Sequence, residues 1–414
     1  MKIIRNGAVT ALPQCSCVGP LSSHIDGFAT RLTREGYAET TVHSKCALVA
    51  EFSRWVERRK LPMAALDEQR LKQFHATRRR RGIVQRRGDA ATGQQLLAFL
   101  RDIGCAPVLP RPSDRTALGK LTRDFEKSLR SERGLSPSTL SGYLRVVRRF
   151  LTERFGGKAL RVTELCPQDL QLFILRQAQR VSRTHAKLAV TALRSFLRFL
   201  LQRGAIKTDL GAAVPGVAHW RLSHLPKSLP PEQVEQLLEC CDRSTPAGQR
   251  DYAILLLLAR FGLRAGEVVA MTLEDLDWEA GEIIVRGKGQ RLERLPMPKD
   301  VGAALAHYLR HVRPACSTRR VFIRAIAPRR GFAGPVAVCD VVRRALRRAG
   351  LNPDFKGAHL LRHSLATELL HRGASLDEIG QLLRHQQPTT TQIYASVDIA
   401  ALRRIALPWL GGLS

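Results

Sequence analysis

Six side chains in the last third of the chain have the types and the order needed to hold and cut a phosphodiester: Arg264, Lys288, His359, Arg362, His385 and Tyr394. Arginine carries a permanent charge on a rigid fork of donors that matches two oxygens of one phosphate. Histidine titrates near neutral pH and can pass protons, and lysine can donate one. Tyrosine supplies a phenolic oxygen as nucleophile, so the set points to strand cleavage through a phosphotyrosine. Each residue alone has an ordinary reading: an exposed turn lysine, a surface or capped histidine, a core aromatic with a satisfied hydroxyl. The ordered set is harder to reach by chance in a chain with five tyrosines and twelve histidines.

Local sequence indicates how these side chains are positioned. Tyr252 to Arg260 reads as an apolar helix, and after the glycine turn at Gly262, Arg264 opens the next one, with Glu267 as the structural partner that orients an arginine. Gly281 to Pro296 places β-branched residues before Gly287-Lys288-Gly289 and an extended run after it, a hairpin with Lys288 at its tip. Ala358 to Leu370 reads as a helix with Leu361, Leu365 and Leu369 at four-residue spacing. His359 and Arg362, three apart, then share a face away from that stripe. The helix is expected to end at Gly373, and Ser375-Leu-Asp-Glu378 is a capping box that starts another. That one runs to His385, and Pro388 breaks the chain before Tyr394, which puts His385 and Tyr394 at the ends of two short consecutive segments. Glu274, Asp275 and Asp277 read as caps, so the carboxylate cluster of a two-metal nuclease is missing.

Composition names the partner class. The 414 residues carry 67 Lys plus Arg against 36 Asp plus Glu, a net charge of +31, with a pI near 11.0. Such one-sided charge attracts a polyanion in a salt-dependent way, which supports a nucleic-acid partner; with the cleavage set above, double-stranded DNA is the expectation. The longest apolar run, Ala253 to Ala259, is too short to span a bilayer, and the first residues lack an apolar stretch of signal-peptide length. The nine cysteines show no CxxC pair or Cys/His ligand spacing, which predicts no zinc site or disulfide framework. A reducing cytoplasm, in association with the nucleoid, is the expected location, and no cofactor is expected.

The first half reads as helical and internally duplicated. Gly36 to Val42 lines up with Gly134 to Leu140, and Val49 and Phe52 then match Val147 and Phe150 at the same offset. Leu96 to Leu100 matches Phe196 to Leu200, followed by Gly104 and Gly204. Two copies of one helical unit are the simplest account. Arginines on the polar faces, such as Arg145, Arg148 and Arg149, are singly ordinary exposed residues and collectively candidate phosphate contacts. The basic run Arg78, Arg79, Arg80, Arg81 is expected to be a loop, either a solvated tether or a DNA contact. Proline-containing stretches from Pro107 to Ser113 and from Val214 to Pro231 divide the chain into 1–106, 113–213 and 229–414, the last with a tail helix suggested by Ile399, Leu402, Ile405 and Trp409.

The segment from about Leu229 to Ala406 resembles the tyrosine recombinase (phage-integrase-like) family, through Gly262-Leu-Arg264-Ala-Gly-Glu267, Gly287-Lys288-Gly289, His359-Leu-Leu-Arg362-His363, and His385 with Tyr394 nine residues on. The resemblance implies a mainly α protein. Helical SAM-like DNA-clamping domains would precede a mostly helical catalytic domain with a small antiparallel β-sheet or hairpin. It also implies roles: Arg264, Arg362 and His385 stabilise the charge growing on the phosphate, His359 takes the proton of Tyr394, and Lys288 protonates the departing 5′ oxygen. The product would be a 3′-phosphotyrosyl bond formed without metal or ATP, and reversed by a partner strand in site-specific recombination or integration. A homo-tetramer on two DNA sites, companion recombinases and a mobile element as source are further expectations of this kind. Two departures stand out: a second helical copy before residue 105, and Arg384 where the family commonly has glycine. A catalytically silent architectural or regulatory DNA-binding protein and a type IB topoisomerase-like relaxase are the alternative readings.

Overall fold

The computed structural model describes residues 18–107, 116–156, 158–217, 227–287, 291–385 and 387–397. Its contacts divide the chain into two units, residues 1–107 with 224–414, and residues 108–223. Lys288 and the tail positions Ile399, Leu402, Ile405 and Trp409 lie outside the described residues.

The first unit opens with four helices, α1 (Ile25–Arg34), α2 (Glu39–Arg58), α3 (Glu68–Arg80) and α4 (Asp89–Asp102). They enclose a core that includes Val42, Val49, Phe52, Leu96, Leu97 and Leu100. The Asp67 side chain caps α3 by accepting from the Arg70 N–H at 2.8 Å. The basic run expected as a loop is instead the last turn of α3, with Arg81 as its C-cap. Arginine is a good helix former, and basic side chains are favoured at a helix C-terminus. Arg78 is held there by Glu51 at 3.1 Å and Asp89 at 2.7 Å, whereas Arg79, Arg80 and Arg81 are exposed.

The second unit consists of α5 (Ala117–Arg133), α6 (Pro137–Phe155), α7 (Pro167–Arg180) and α8 (Arg183–Gln202). Thr116 and Ser136 cap α5 and α6 by accepting from Gly119 N–H at 3.0 Å and Thr139 N–H at 3.3 Å. The core is aromatic, with Phe125, Phe150, Phe173 and Phe196 buried. Arg145, Arg148 and Arg149 lie on the exposed face of α6, and Arg149 pairs with Glu153 one turn on.

The remainder of the first unit carries the six candidate residues. Its centre is α10 (Pro246–Phe261), whose Ala253 to Ala259 are all buried. A helix apolar on every side belongs inside, and α9 (Pro231–Glu239), α12 (Lys299–His307), α13 (Pro335–Arg348) and α14 (Ala358–His371) pack around it. Thr245 caps its start, accepting from Gly248 N–H at 3.1 Å, and Gly262 in the left-handed region at φ +56° ends it. After α11 (Ala265–Ala270), strands β1 (Leu276–Asp277), β2 (Glu282–Arg286) and β3 (Leu292–Pro296) form an antiparallel sheet in that order, with Ile283 opposite Leu295 and Val285 opposite Glu293. Ile283 and Val285 point into the core on one face of β2, which pins the register. α15 (Leu376–Leu382) and α16 (Pro388–Thr391) complete the fold. Pro388 therefore opens a helix rather than merely interrupting the chain.

No helix among the described residues is long and apolar enough to cross a membrane.

Candidate active site

Arg264 is the N-cap of α11, set just beyond the turn at Gly262. Glu267 holds it at both ends: one carboxylate oxygen accepts from the Arg264 backbone N–H at 2.9 Å, the other from Nη1 at 2.7 Å. Nη2 donates to the Arg384 carbonyl at 3.2 Å. The Arg264 side chain keeps 33% of its surface exposed while Glu267 keeps 6%, so the charge that faces solvent is the guanidinium.

Arg362, on the α14 face away from the leucine stripe, is buried. Its guanidinium donates to the Gly262 carbonyl at 2.5 Å and to the Leu383 carbonyl, which ties α14 to the turn before Arg264 and to the end of α15. Burial first, then the charges of Arg264 and Arg384, lower its pKa to about 10, so it remains charged at neutral pH. Among the described residues two carbonyls and no carboxylate are bonded to it, which leaves its positive charge available to an anion.

Three histidines belong to this part of the fold, and one of them is bonded to the tyrosine. His359, in the first turn of α14, is exposed at its surface, yet desolvation by neighbouring protein, followed by the charges of Arg362 and Arg264, lowers its pKa. His363, one turn on, brings Nδ1 to 2.8 Å from the Tyr394 hydroxyl. His385, just past α15, sets Nδ1 2.8 Å from the Thr391 hydroxyl. When Thr391 donates that bond, the ring proton lies on Nε2, a donor for a phosphate oxygen. Burial, reinforced by neighbouring positive groups, pushes His363 and His385 down to about 4 and keeps both neutral at pH 7. Tyr394, in the short helical turn Gln392–Val397, is 1% exposed. Burial raises its pKa to about 12, so its proton must be taken by a neighbouring base before the oxygen can attack.

An open cleft of about 550 Å³ lies beside Arg264 and His385, lined also by Arg291, Glu293, Arg384 and Thr390 among others. Arg264, Arg362, His385 and Tyr394 thus come together as the sequence suggested, with His359 on the neighbouring turn. The expected base, His359, is not the histidine bonded to Tyr394. His363 is, and it stood unassigned inside the motif because spacing along a helix cannot choose between two histidines four apart. The hairpin is present, and its turn residue Lys288 lies outside the described residues.

Guanidinium groups, neutral histidines and one tyrosine hydroxyl in one part of the fold are the groups that cleavage of a phosphodiester by an oxygen nucleophile requires. Comparison with known proteins makes this specific. Residues 227–400 match the phage integrase family and residues 123–204 match the phage integrase N-terminal SAM-like domain. Over 396 residues the chain is 43% identical to the integrase/recombinase y4rA of Sinorhizobium fredii, covering 95% of each. It is 34% identical over 300 residues to the tyrosine recombinase XerD of Mycobacterium tuberculosis, covering 68% of this chain and 93% of that one. The chain belongs to the phage integrase family of tyrosine recombinases, a class of DNA strand transferases. The fold is shared with XerH recombinase in a post-cleavage complex with palindromic difH, at TM-score 0.55 and 21% identity over 68% of this chain and 83% of that one. It is also shared with the Tn1549 transposon integrase in complex with circular intermediate DNA, at TM-score 0.53 and 18% identity over 69% and 99%.

Proposed function

We propose that this recombinase cleaves and rejoins double-stranded DNA through a covalent 3′-phosphotyrosyl bond on Tyr394. Arg264 and Arg362 bind the non-bridging oxygens of the scissile phosphate, and His385, held by Thr391, adds a hydrogen bond as charge grows in the transition state. The observation that carries this reading is the Tyr394 hydroxyl 2.8 Å from His363, in the same cluster as the two guanidinium groups. His363 is the hydrogen-bond partner that holds the tyrosine hydroxyl, and His359, one turn away on the same helix, is the histidine that takes its proton as the tyrosine engages DNA. Lys288, from the β2–β3 turn, protonates the leaving 5′ oxygen. The energy of the broken bond stays in the phosphotyrosine, so a 5′ hydroxyl from another strand can reverse the step without ATP or a metal ion.

By the same reading the chain has three domains, 1–106, 113–213 and 229–414, the first two being copies of one helical unit. Val42, Val49 and Phe52 are buried as are Leu140, Val147 and Phe150, which supports that pairing. Phosphate contacts come from Arg79, Arg80 and Arg81 and from Arg145, Arg148 and Arg149, whereas Arg78 serves mainly its two carboxylates. The protein works in the cytoplasm on the nucleoid, as a homo-tetramer on two DNA sites or beside companion recombinases, in the service of a mobile element. The test is strand exchange in EDTA between two duplexes from DNA flanking the gene, followed by sedimentation. Recombinant products from a four-protomer complex support the account; binding as monomers on single sites, without exchange, contradicts it.

A further inference from the structure

One charged side chain in this cluster has no part in the steps above. Arg384 occupies the left-handed region at φ +56°, which penalises any residue with a Cβ and suits glycine. Its side chain is also 2% exposed, although an arginine is costly to bury. Glycine at this position would avoid both costs, so the contacts of the guanidinium are informative. Nη2 donates to Oε2 of Glu267 at 3.2 Å, Nη1 donates to the Leu382 carbonyl at 2.9 Å, and Nε lies 3.8 Å from a carboxylate oxygen of Glu293 on β3. Burial lowers the Arg384 pKa, and the two carboxylates act in the opposite direction.

We propose that Arg384 is a positioning residue for Arg264, acting through Glu267. Oε2 of Glu267 accepts from both the Arg264 backbone N–H and Arg384 Nη2, while Oε1 accepts from Arg264 Nη1. Without Arg384 the carboxylate has one fewer donor fixing its plane, and the Arg264 fork has a looser mount. The Arg384 carbonyl also receives Arg264 Nη2, but that contact belongs to the backbone and survives in glycine. The side chain is 2% exposed, and its two terminal nitrogens are already bonded to Glu267 and to the Leu382 carbonyl. Through Glu293, whose side chain is 39% exposed, it also joins the end of α15 to β3.

This inference rests on the reading of Arg264 as a phosphate-binding group, and Arg384→Gly isolates the side chain at a backbone position that glycine fits. The experiment measures single-turnover formation of the covalent adduct on nicked suicide duplexes from DNA flanking the gene. One duplex carries an ordinary scissile phosphodiester, the other a methylphosphonate, which has no charge for Arg264 to neutralise. Arg384→Gly should bind DNA as the wild type does and cleave the phosphodiester at least about tenfold more slowly, the scale of a displaced catalytic group. On the methylphosphonate the variant and wild type should differ little. Arg384→Lys should recover part of the rate, and Glu267→Gln with Arg384→Gly should lose no more than Glu267→Gln alone, because both act through one contact. Wild-type rates for Arg384→Gly, or equal losses on the two linkages, would overturn the proposal. A wild type that binds this DNA but forms no adduct would defeat the strand-transfer reading instead. The crystal structure of Arg384→Gly then decides the positioning role without activity. Loss of the 2.7 Å bond between Arg264 and Glu267 supports it, and an unmoved pair overturns it.

Discussion

Glu267 neutralises only part of the charge around it. Arg264, Arg362 and Arg384 face this one buried carboxylate, with Glu293 half-exposed beside it, so the cleft retains a positive excess suited to a phosphate. Glu267→Gln keeps the shape and removes the charge that fixes Arg264. Cleavage by this variant is expected to fall about 100-fold, the magnitude of losing one aligned donor, with duplex affinity in a gel-shift assay nearly unchanged. The histidines give a pH dependence. His363 and His385 have pKa values of about 4 in the folded protein against 6.5 when unperturbed, so below 6.5 the unfolded chain binds protons that the folded chain does not. Their contribution is present above pH 6.5 and is lost as pH falls toward 4. Thermal unfolding should show Tm declining over this window, and His363→Gln should make the decline shallower. At this scale the sequence displayed the residue types and their order. It could not display that Arg384 meets a glutamate 117 positions away, or that Arg362 turns inward, since both depend on the packing of α14 and α15 against the Gly262 turn.

Elements hold these groups through a few turns. Gly262 ends α10 at φ +56°, gives its carbonyl to Arg362 and places Arg264 two residues on. A Cβ there would lie 2.6 Å from the Leu383 side chain. Gly262→Ala is therefore expected to cost about 1–2 kcal/mol for the backbone alone, with further strain from Leu383. Calorimetry should show a lower Tm, and trapping assays should show slower cleavage. The β2–β3 hairpin and the Ser375 capping box were both legible, because each has a short-range chemical cause. The run Arg78 to Arg81 was misread as a loop because its charge pattern suggested solvation. The carboxylates that hold Arg78 within α3 come from α2 and α4, which sequence proximity does not reveal.

For the whole molecule, the net charge of +31 makes DNA affinity steeply dependent on salt. Arg148 is exposed on α6, and Arg148→Ala is expected to weaken binding to all duplexes alike and to reduce the log–log salt slope by about 1. Fluorescence anisotropy across a salt series measures both; a change confined to one DNA sequence would instead make Arg148 a base reader. The central claim is narrower: one hydroxyl, on Tyr394, carries the DNA strand during the reaction. The direct measurement is mass spectrometry of the adduct that wild-type protein forms with a suicide duplex in EDTA, after digestion of both protein and DNA. The account predicts a 3′ phosphate attached to the peptide containing Tyr394 and no adduct from Tyr394→Phe. A nucleotide attached to any other residue, or an adduct that persists in Tyr394→Phe, would contradict it.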